Sequence, residues 1–377
     1  MGDVDLVRAL GLAGIDSAFF GIPDATARFS RHVRTVLPPI EGWERDRDAE
    51  AVQALLRFAR SQPEPPVLYP QTDAALLLAS RHRDVLAPAF RLCLADAELI
   101  EQLVDKGPFQ ALAEHHGLPV PPAERLQPRP GQAAPEIDVP FPVIVKPVVR
   151  VSNWFELGEQ AKAMRVGGPA EWRRRWEQLA AMDTELLIQQ LIDGPESAIE
   201  SYHAYVDADG VVAGEFTGRK VRTYPPHYGF STSVEITNAQ DVAHAGREVL
   251  DKLALRGVAK LDFKRDDRGR LHLLEINPRF NIWHHPAAVA GVNLPALVHA
   301  DLTGSPRPDG RRATRRVAWC QPLTDLRAAY ESGMSPLQWL RWARRCRAVS
   351  GLAPDDPLPF IRGTLWQATS TRVRRLA

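Results

Sequence analysis

At 377 residues the chain is longer than a single hydrophobic core usually serves, so two or three domains are expected. Hydrophobic residues at 45%, charged residues at 25% and a net charge of +1 give no bulk attraction to nucleic acid or to a membrane. Cys93, Cys320 and Cys346 are scattered with no CxxC pair, and no leader or long apolar run occurs; a cytoplasmic enzyme without a disulfide frame is expected.

The first hundred residues alternate helical and strand patterns. VDLVRALGLAGI (4–15) predicts a helix ending at Gly14, and DSAFFG a short buried strand. EAVQALLRFARSQ predicts a second helix and PVLYP a second strand. TDAALLLASRHRDVL predicts a third helix, capped by Thr72 or Asp73, and FRLCLA a third strand. Residues 1–95 thus form a Rossmann-like half-domain whose usual opening strand is either lacking or upstream of this chain. A dinucleotide site is not expected there.

From Asp96 the pattern changes. AELIEQLVDKGPFQALAEHHGLPVPPAERL predicts two helices broken at Lys106-Gly107-Pro108, and QPRPGQAAPEIDVP (127–140) an irregular surface connection. FPVIVKPVV, AKAMRV and ELLIQQLI predict strands, and PAEWRRRWEQLAAM a helix. Two hairpins follow, turning at Asp209-Gly210 and around Asp267 to Gly269. Between them lie the polar loop YPPHYGFSTS and a helix from Asp241 to Leu255. RPDGRRATRR (307–316) predicts a solvated basic linker, and the Trp-bearing tail an amphipathic helix with a proline-rich strap. That tail either packs on the enzyme body or builds a homodimer face.

The second hairpin carries the chemistry. Side chains two apart on a strand share a face, so Glu275, Asn277 and Arg279 point one way while Leu274 and Ile276 point into a core. A loop of Asp266 to Gly269 pairs Arg265 with Arg270, making Glu275 the diagonal neighbour of Asp262 at roughly 5–8 Å. Lys260 lies beside them. Two carboxylates and an amide oxygen are hard donors suited to Mg²⁺ shared with phosphate oxygens. Only seven of the 47 basic residues are lysines. A compact ammonium is not interchangeable with a planar guanidinium, so each retained lysine is a candidate site residue.

These residues resemble the ATP-grasp superfamily, in particular its carboxylate–amine ligases such as D-alanine–D-alanine ligase and D-aspartate ligase-like proteins. The motifs that carry the likeness are DKGPFQALAEHHGLPVP, FPVIVKP, LLIQQLIDGPE, GRK at 218–220, VAKLDF and LLEINPRF. The resemblance implies an α/β and α+β architecture: the N-terminal half-domain, a two-lobed ATP-grasp domain over 96–303, and a small helical extension over 304–377. It assigns Lys106, Lys146 and Lys220 to phosphate, Gln190, Leu191 and Ile192 to adenine, and Glu196 to ribose. Asp262, Glu275 and Asn277 become ligands of one or two Mg²⁺ (or Mn²⁺) ions, and Arg279 the oxyanion clamp. RVSNWFELG stands where relatives have a glycine-rich flap, and Gln189 and Gln190 stand where many have an acidic residue.

The implied reaction joins a small-molecule carboxylate to an amine through an acyl phosphate, on an amino acid or small peptide. The loop 223–235 would shape the acceptor pocket, and His284 and His285 either touch substrate or read as buried or solvated residues without function. The alternatives are an ATP-grasp kinase or carboxyphosphate-forming enzyme, and a nucleotide-binding protein that has lost catalysis.

Overall fold

The computed structural model describes residues 3–44, 46–148, 154, 163–226, 229–351 and 353–363, with only the backbone described for Lys106. The replaced glycine-rich flap therefore lies outside the described residues, apart from Trp154.

The chain enters through helix α1 (Asp3–Leu12), followed by strand β1 (Ser17–Phe19), which pairs in parallel with β2 (Val33–Val36). Helix α2 (Asp48–Arg60) leads to β3 (Val67–Leu68), which pairs in parallel with β4 (Arg91–Leu92) across α3 (Asp73–Arg81) and α4 (Arg83–Leu86). The expected helix–strand alternation is present, with Thr72 capping α3 through the Ala75 N–H. Among the described residues, however, these strands make two separate two-stranded sheets instead of one continuous half-domain sheet. Segments of two to four residues provide too few rungs to extend a common ladder.

Helices α5 (Ala97–Val104) and α6 (Lys106–His115) meet at the expected break, where Asp96 caps one and Asp105 the other. The first lobe is an antiparallel sheet in the order β5 (Ala123–Leu126), β8 (Leu186–Gln190), β6 (Val143–Pro147), β7 (Met164–Val166). Helix α7 (Pro169–Ala181) packs Trp172, Trp176 and Leu179 against Val143, Val145, Met164 and Ile188. The two indole N–H groups donate to the carbonyls of Pro135 (2.9 Å) and Gln132 (2.8 Å), pinning the proline-rich connection to the lobe.

The second lobe is built on β9 (Ile199–Val206), β10 (Val212–Tyr224), β11 (Phe230–Thr237), α8 (Gln240–Lys252), β12 (Gly257–Arg265) and β13 (Leu271–Asn277). Helices α9 (His284–Val289) and α10 (Leu294–Thr303) follow, then β14 (Val317–Cys320), α11 (Pro322–Glu331), α12 (Pro336–Ala343) and β15 (Cys346–Val349). Seven strands form one sheet in the order β13-β12-β9-β10-β11-β14-β15. One face packs Leu261 and Phe263 against Val249 and Leu250 of α8 and Ile100 and Leu103 of α5. The other packs Tyr205, Phe216 and Val258 against α1, α10 and Trp283. Among the described residues no helix is long and apolar enough to cross a membrane.

Three expectations change. The polar loop 224–233 is shorter than expected: β10 runs to Tyr224 and β11 starts at Phe230. The C-terminal region supplies β14 and β15 to the large sheet as well as helices. The basic run is not a free linker, because Arg307 pairs with Asp207 (2.9 Å) and Asp301, and Arg312 with Glu215 (2.7 Å). Each of these two arginines neutralises a largely buried carboxylate that would otherwise lack that cation.

Helix α1 is buried from Val4 to Leu10, including Asp5 and Arg8. Asp5 accepts from Trp319 Nε1 (2.9 Å) and Ser350 Oγ (2.8 Å). Arg8 pairs with Asp356 (3.1 Å) and donates to the carbonyls of Val349 (2.8 Å) and Gly351 (3.0 Å). Replacing Arg8 with Met should therefore cost ~3–5 kcal/mol of stability, because Asp356 stays buried without its cation. The exposed Arg34–Asp16 pair should contribute less than ~1 kcal/mol, and urea denaturation of Arg8→Met and Arg34→Met compares the two.

Candidate functional site

Hairpin β12–β13 does not close as the sequence predicts. Arg265 pairs with Leu271 instead of Arg270, because the turn has five residues. The Asp266 carboxylate holds that turn, accepting from the N–H groups of Arg268 (3.0 Å) and Arg270 (2.8 Å), while Gly269 takes φ +80°. A bulge at Leu274 then restores the frame, so that Asp262 faces Glu275 directly and Lys260 faces Asn277. It also corrects the core assignment: Leu273 and Ile276 are buried, while Leu274 lines the cleft.

On the cleft face of the sheet, β12 contributes Lys260, Asp262 and Lys264, β9 contributes Ser201 and His203, and β10 contributes Lys220. Asp262 is 1% exposed. Its Oδ2 lies 2.6 Å from Lys260 Nζ and 3.1 Å from Lys220 Nζ, and its Oδ1 accepts from the Ser201 hydroxyl. Burial alone would raise this carboxyl, but Lys220 and Lys260 outweigh it and hold it well below the usual carboxylate range. Burial likewise works against the Lys220 ammonium, and Asp262 and Glu275 reverse that, leaving it raised.

Glu275 is the open member of the group, 56% exposed, with Lys260 3.7 Å away. Its Oε1 accepts from Asn277 Nδ2 (3.2 Å), and Asn277 Oδ1 accepts from Arg279 Nη2 (3.2 Å). Arg279 also pairs with Asp73 on α3 (2.5 Å) and donates from Nη1 to the carbonyls of Gln71 (3.3 Å) and Phe280 (3.5 Å). One Nη2 hydrogen is left uncommitted among the described residues.

A cleft of about 1720 Å³ runs between the lobes and the N-terminal half. It brings together Lys146, Lys220, Lys260, Glu275, Asn277 and Arg279. Lys146 Nζ donates to Gln189 Oε1 (3.1 Å), and Gln189 Nε2 donates to Gln110 Oε1 (3.4 Å). Other expected residues stand apart. Gln190, Leu191, Ile192 and Glu196 are not among the cleft's lining residues. The N–H groups of Gln190 and Leu191 donate to the carbonyls of Pro122 and Pro142 (both 2.9 Å), so the expected adenine-reading backbone is partly spent on the sheet. Lys264 fastens the preceding turn, donating to the carbonyls of Gly194 (2.7 Å) and Pro195 (2.8 Å). Lys106 opens α6, and its side chain lies outside the described residues.

The sequence sets Lys260 beside the carboxylates but gives it no role, and it does not mark Ser201 or Asp73 as site residues. The scarcity of lysine was the available signal for Lys260; nothing local marks the other two.

Behind this wall His203 and His284 are buried, with ring nitrogens that find no partner among the described residues. His203 stacks on Phe216 at 4.3 Å and stays neutral, pushed well down by burial and then by Lys260. Burial lowers His284 to about 3.

Residues 183–325 match the family model described as ATP-grasp in the biosynthetic pathway with Ter operon. The matches together support an ATP-grasp protein of the carboxylate–amine ligase-like superfamily. The chain is 26% identical to a D-aspartate ligase of Enterococcus faecium over 74% of this chain and 68% of that one. It is 25% identical to a D-alanine–D-alanine ligase of Pseudomonas entomophila over 56% of this chain and 66%, just under two thirds, of that one. The ATP-grasp fold itself is shared with an L-amino acid ligase from Bacillus licheniformis, at TM-score 0.60 and 17% identity over 84% of this chain and 76% of that one. An N5-carboxyaminoimidazole synthetase from Staphylococcus aureus superposes at TM-score 0.61 and 12% identity, over 88% of this chain and 82% of that one.

His284 yields a pH prediction. Its folded value of about 3 lies below the ordinary 6.5, so its contribution to stability is complete above pH 6.5. That contribution is lost as pH falls toward 3, at up to ~1.4 kcal/mol per pH unit. The stability difference between wild type and His284→Phe should therefore shift in favour of the variant over that window, as read by denaturant melts at stepped pH.

Proposed function

We propose that this enzyme uses ATP to join a small carboxylate, an amino acid or short peptide, to an amine through an acyl phosphate. The observation that carries the reading is the convergence of Lys146, Lys220, Glu275, Asn277 and Arg279 on one cleft. A carboxylate oxygen is a poor leaving group, and phosphorylation solves that problem. Its oxygen attacks the γ-phosphorus, ADP leaves, an amine attacks the carbonyl, and phosphate departs.

In this reading Lys146 and Lys220 hold the phosphate chain by charge and hydrogen bonds, and Lys106 joins them from the start of α6. Gln189 positions the Lys146 ammonium. The second Nη2 hydrogen of Arg279, uncommitted among the described residues, meets the oxygen that gains charge when the amine adds, worth ~3–4 kcal/mol for a preorganised donor. Asp73 fixes that guanidinium in place, so the N-terminal half takes part in the site. Ile192 supplies the remaining hinge N–H for the adenine edge, and Glu196 takes the ribose.

The donor set fits a hard divalent ion. Glu275 and the Asn277 amide oxygen face the cleft side by side, and Asp262 stands behind them. When bound there, Mg²⁺ supplies charge neutralisation for the phosphates.

The acceptor enters at a partly apolar rim. Phe230 and Leu323 line the cleft while 62% and 55% exposed, and Arg327 lies over the Tyr224 ring at 4.7 Å. That rim suits the side chain of an amino-acid amine. Phe230→Ala should raise KM for the amine several-fold and leave KM for ATP unchanged.

Glu275→Gln should abolish turnover while the melting temperature stays near that of the wild type, since Glu275 is exposed. Incubation with ATP, Mg²⁺, candidate acids and hydroxylamine should yield a hydroxamate, because only an activated acyl group is trapped that way. ADP release without hydroxamate would favour the kinase or carboxyphosphate alternative. An absence of ADP release across a broad acid panel would point to lost catalysis.

A further inference from the structure

The place between the two carboxylates of the site is already taken by an ammonium group. Lys260 Nζ sits 2.6 Å from Asp262 Oδ2 and 3.7 Å from Glu275 Oε1, and so bridges the pair where a shared metal ion would stand. Lys220 closes on the same Asp262 oxygen at 3.1 Å. The other oxygen is held by Ser201. Asp262 is 1% exposed, and Lys260 and Lys220 are only 11% and 15% exposed, so water screens little of this charge.

The charge balance sets what can enter. Asp262 and Glu275 carry two negative charges, and Lys220 and Lys260 carry two positive ones, so the cluster is neutral as it stands. A divalent cation added alone would sit against two ammonium groups in a poorly screened site. A polyphosphate arriving with it changes the balance, because phosphate oxygens give both lysines an alternative partner. A lysine that swings from Asp262 to a phosphate leaves the carboxylate open at the same moment. The flexible four-carbon stem makes such a swing feasible, which a planar guanidinium fork would hinder.

We propose that Lys260, backed by Lys220, is a cation lock on Asp262 that keeps divalent metal out of the site until a polyphosphate draws the lysines away. The lock rests on the nucleotide reading of the cleft only for its key; the exclusion of free metal stands on the cluster alone. Lys260 is thus a positioning residue that couples metal entry to nucleotide entry.

The test is a titration with Mn²⁺, followed by electron paramagnetic resonance, on the full chain. Wild type should bind free Mn²⁺ at least ~10-fold more weakly than Lys260→Met, a ratio within the usual range for coupled sites. Lys260→Arg, which keeps the charge, should exclude free Mn²⁺ as wild type does. Adding a non-hydrolysable ATP analogue should bring wild type to the Mn²⁺ affinity of Lys260→Met and narrow the gap between them. Melting curves check folding, with Lys260→Gln as the second variant should the Met form be unstable. Equal free-Mn²⁺ affinity in wild type and the neutral variants, or no Mn²⁺ binding by either, overturns the lock. Analogue binding in EDTA is measured separately: its absence removes the nucleotide reading, while the free-metal comparison still decides whether Lys260 bars the ion.

Discussion

Asp262 is the charge around which the second lobe is arranged. A carboxylate this deeply buried is stable only when its partners are held as firmly as it is, and removing one partner of such a pair typically costs ~3–5 kcal/mol. Its partners come from three strands. Lys260 lies on the same strand, Ser201 on the adjacent β9, and Lys220 on β10 beyond it. Any slip in the register of these strands would leave an ammonium or a carboxylate buried alone, so the electrostatics and the ladder enforce each other. The same constraint explains why the bulge at Leu274 matters: without it Leu273 and Glu275 would share a face, and either the core or the cleft would lose its residue.

The cleft is finished by residues far away in the chain. Arg279 reaches Asp73 across 206 residues of sequence, so the helix after β3 orients a guanidinium that belongs to the second lobe. Asp325 of α11 is wholly buried. It accepts from both ends of the Arg222 fork (2.8 and 2.7 Å), from Thr232 and from Trp339 Nε1 (2.9 Å). The C-terminal helices are thereby locked to the β10–β11 ribbon that carries Lys220 at one point and the apolar rim at another.

Much of this was legible in the residues. The period of two in LHLLEINPRF placed Glu275 and Asn277 on the cleft side, and the apolar alternation of VAKLDF placed Leu261 and Phe263 in the core. The capped helix α5 came out close to its expected start, while the single helix expected over 72–86 is divided into α3 and α4 at His82. What escaped was of two kinds. The five-residue turn and the one-residue bulge each shift the pairing by one in the same direction, so the face returns while the register moves by two, and hydrophobic alternation cannot resolve a slip of two. Long-range partners such as Asp73, Ser201 and Asp356 carry no local mark, because an aspartate in a first turn or a serine in a strand looks the same with or without a distant arginine or lysine. The sheet membership of VAWC and CRAV was hidden for a related reason: four-residue apolar segments do not announce which strand they will join.

The burial of α1 bears on how the molecule is made. Asp5 accepts from Trp319 and Ser350 and Arg8 donates to Val349 and Asp356, so the first helix gains these partners only after residues 319–356 have been synthesised. With 348 residues separating Arg8 from Asp356, this closure has one of the greatest sequence separations the chain allows, and such pairings form slowly. Until those residues emerge, the polar groups of α1 wait without these partners.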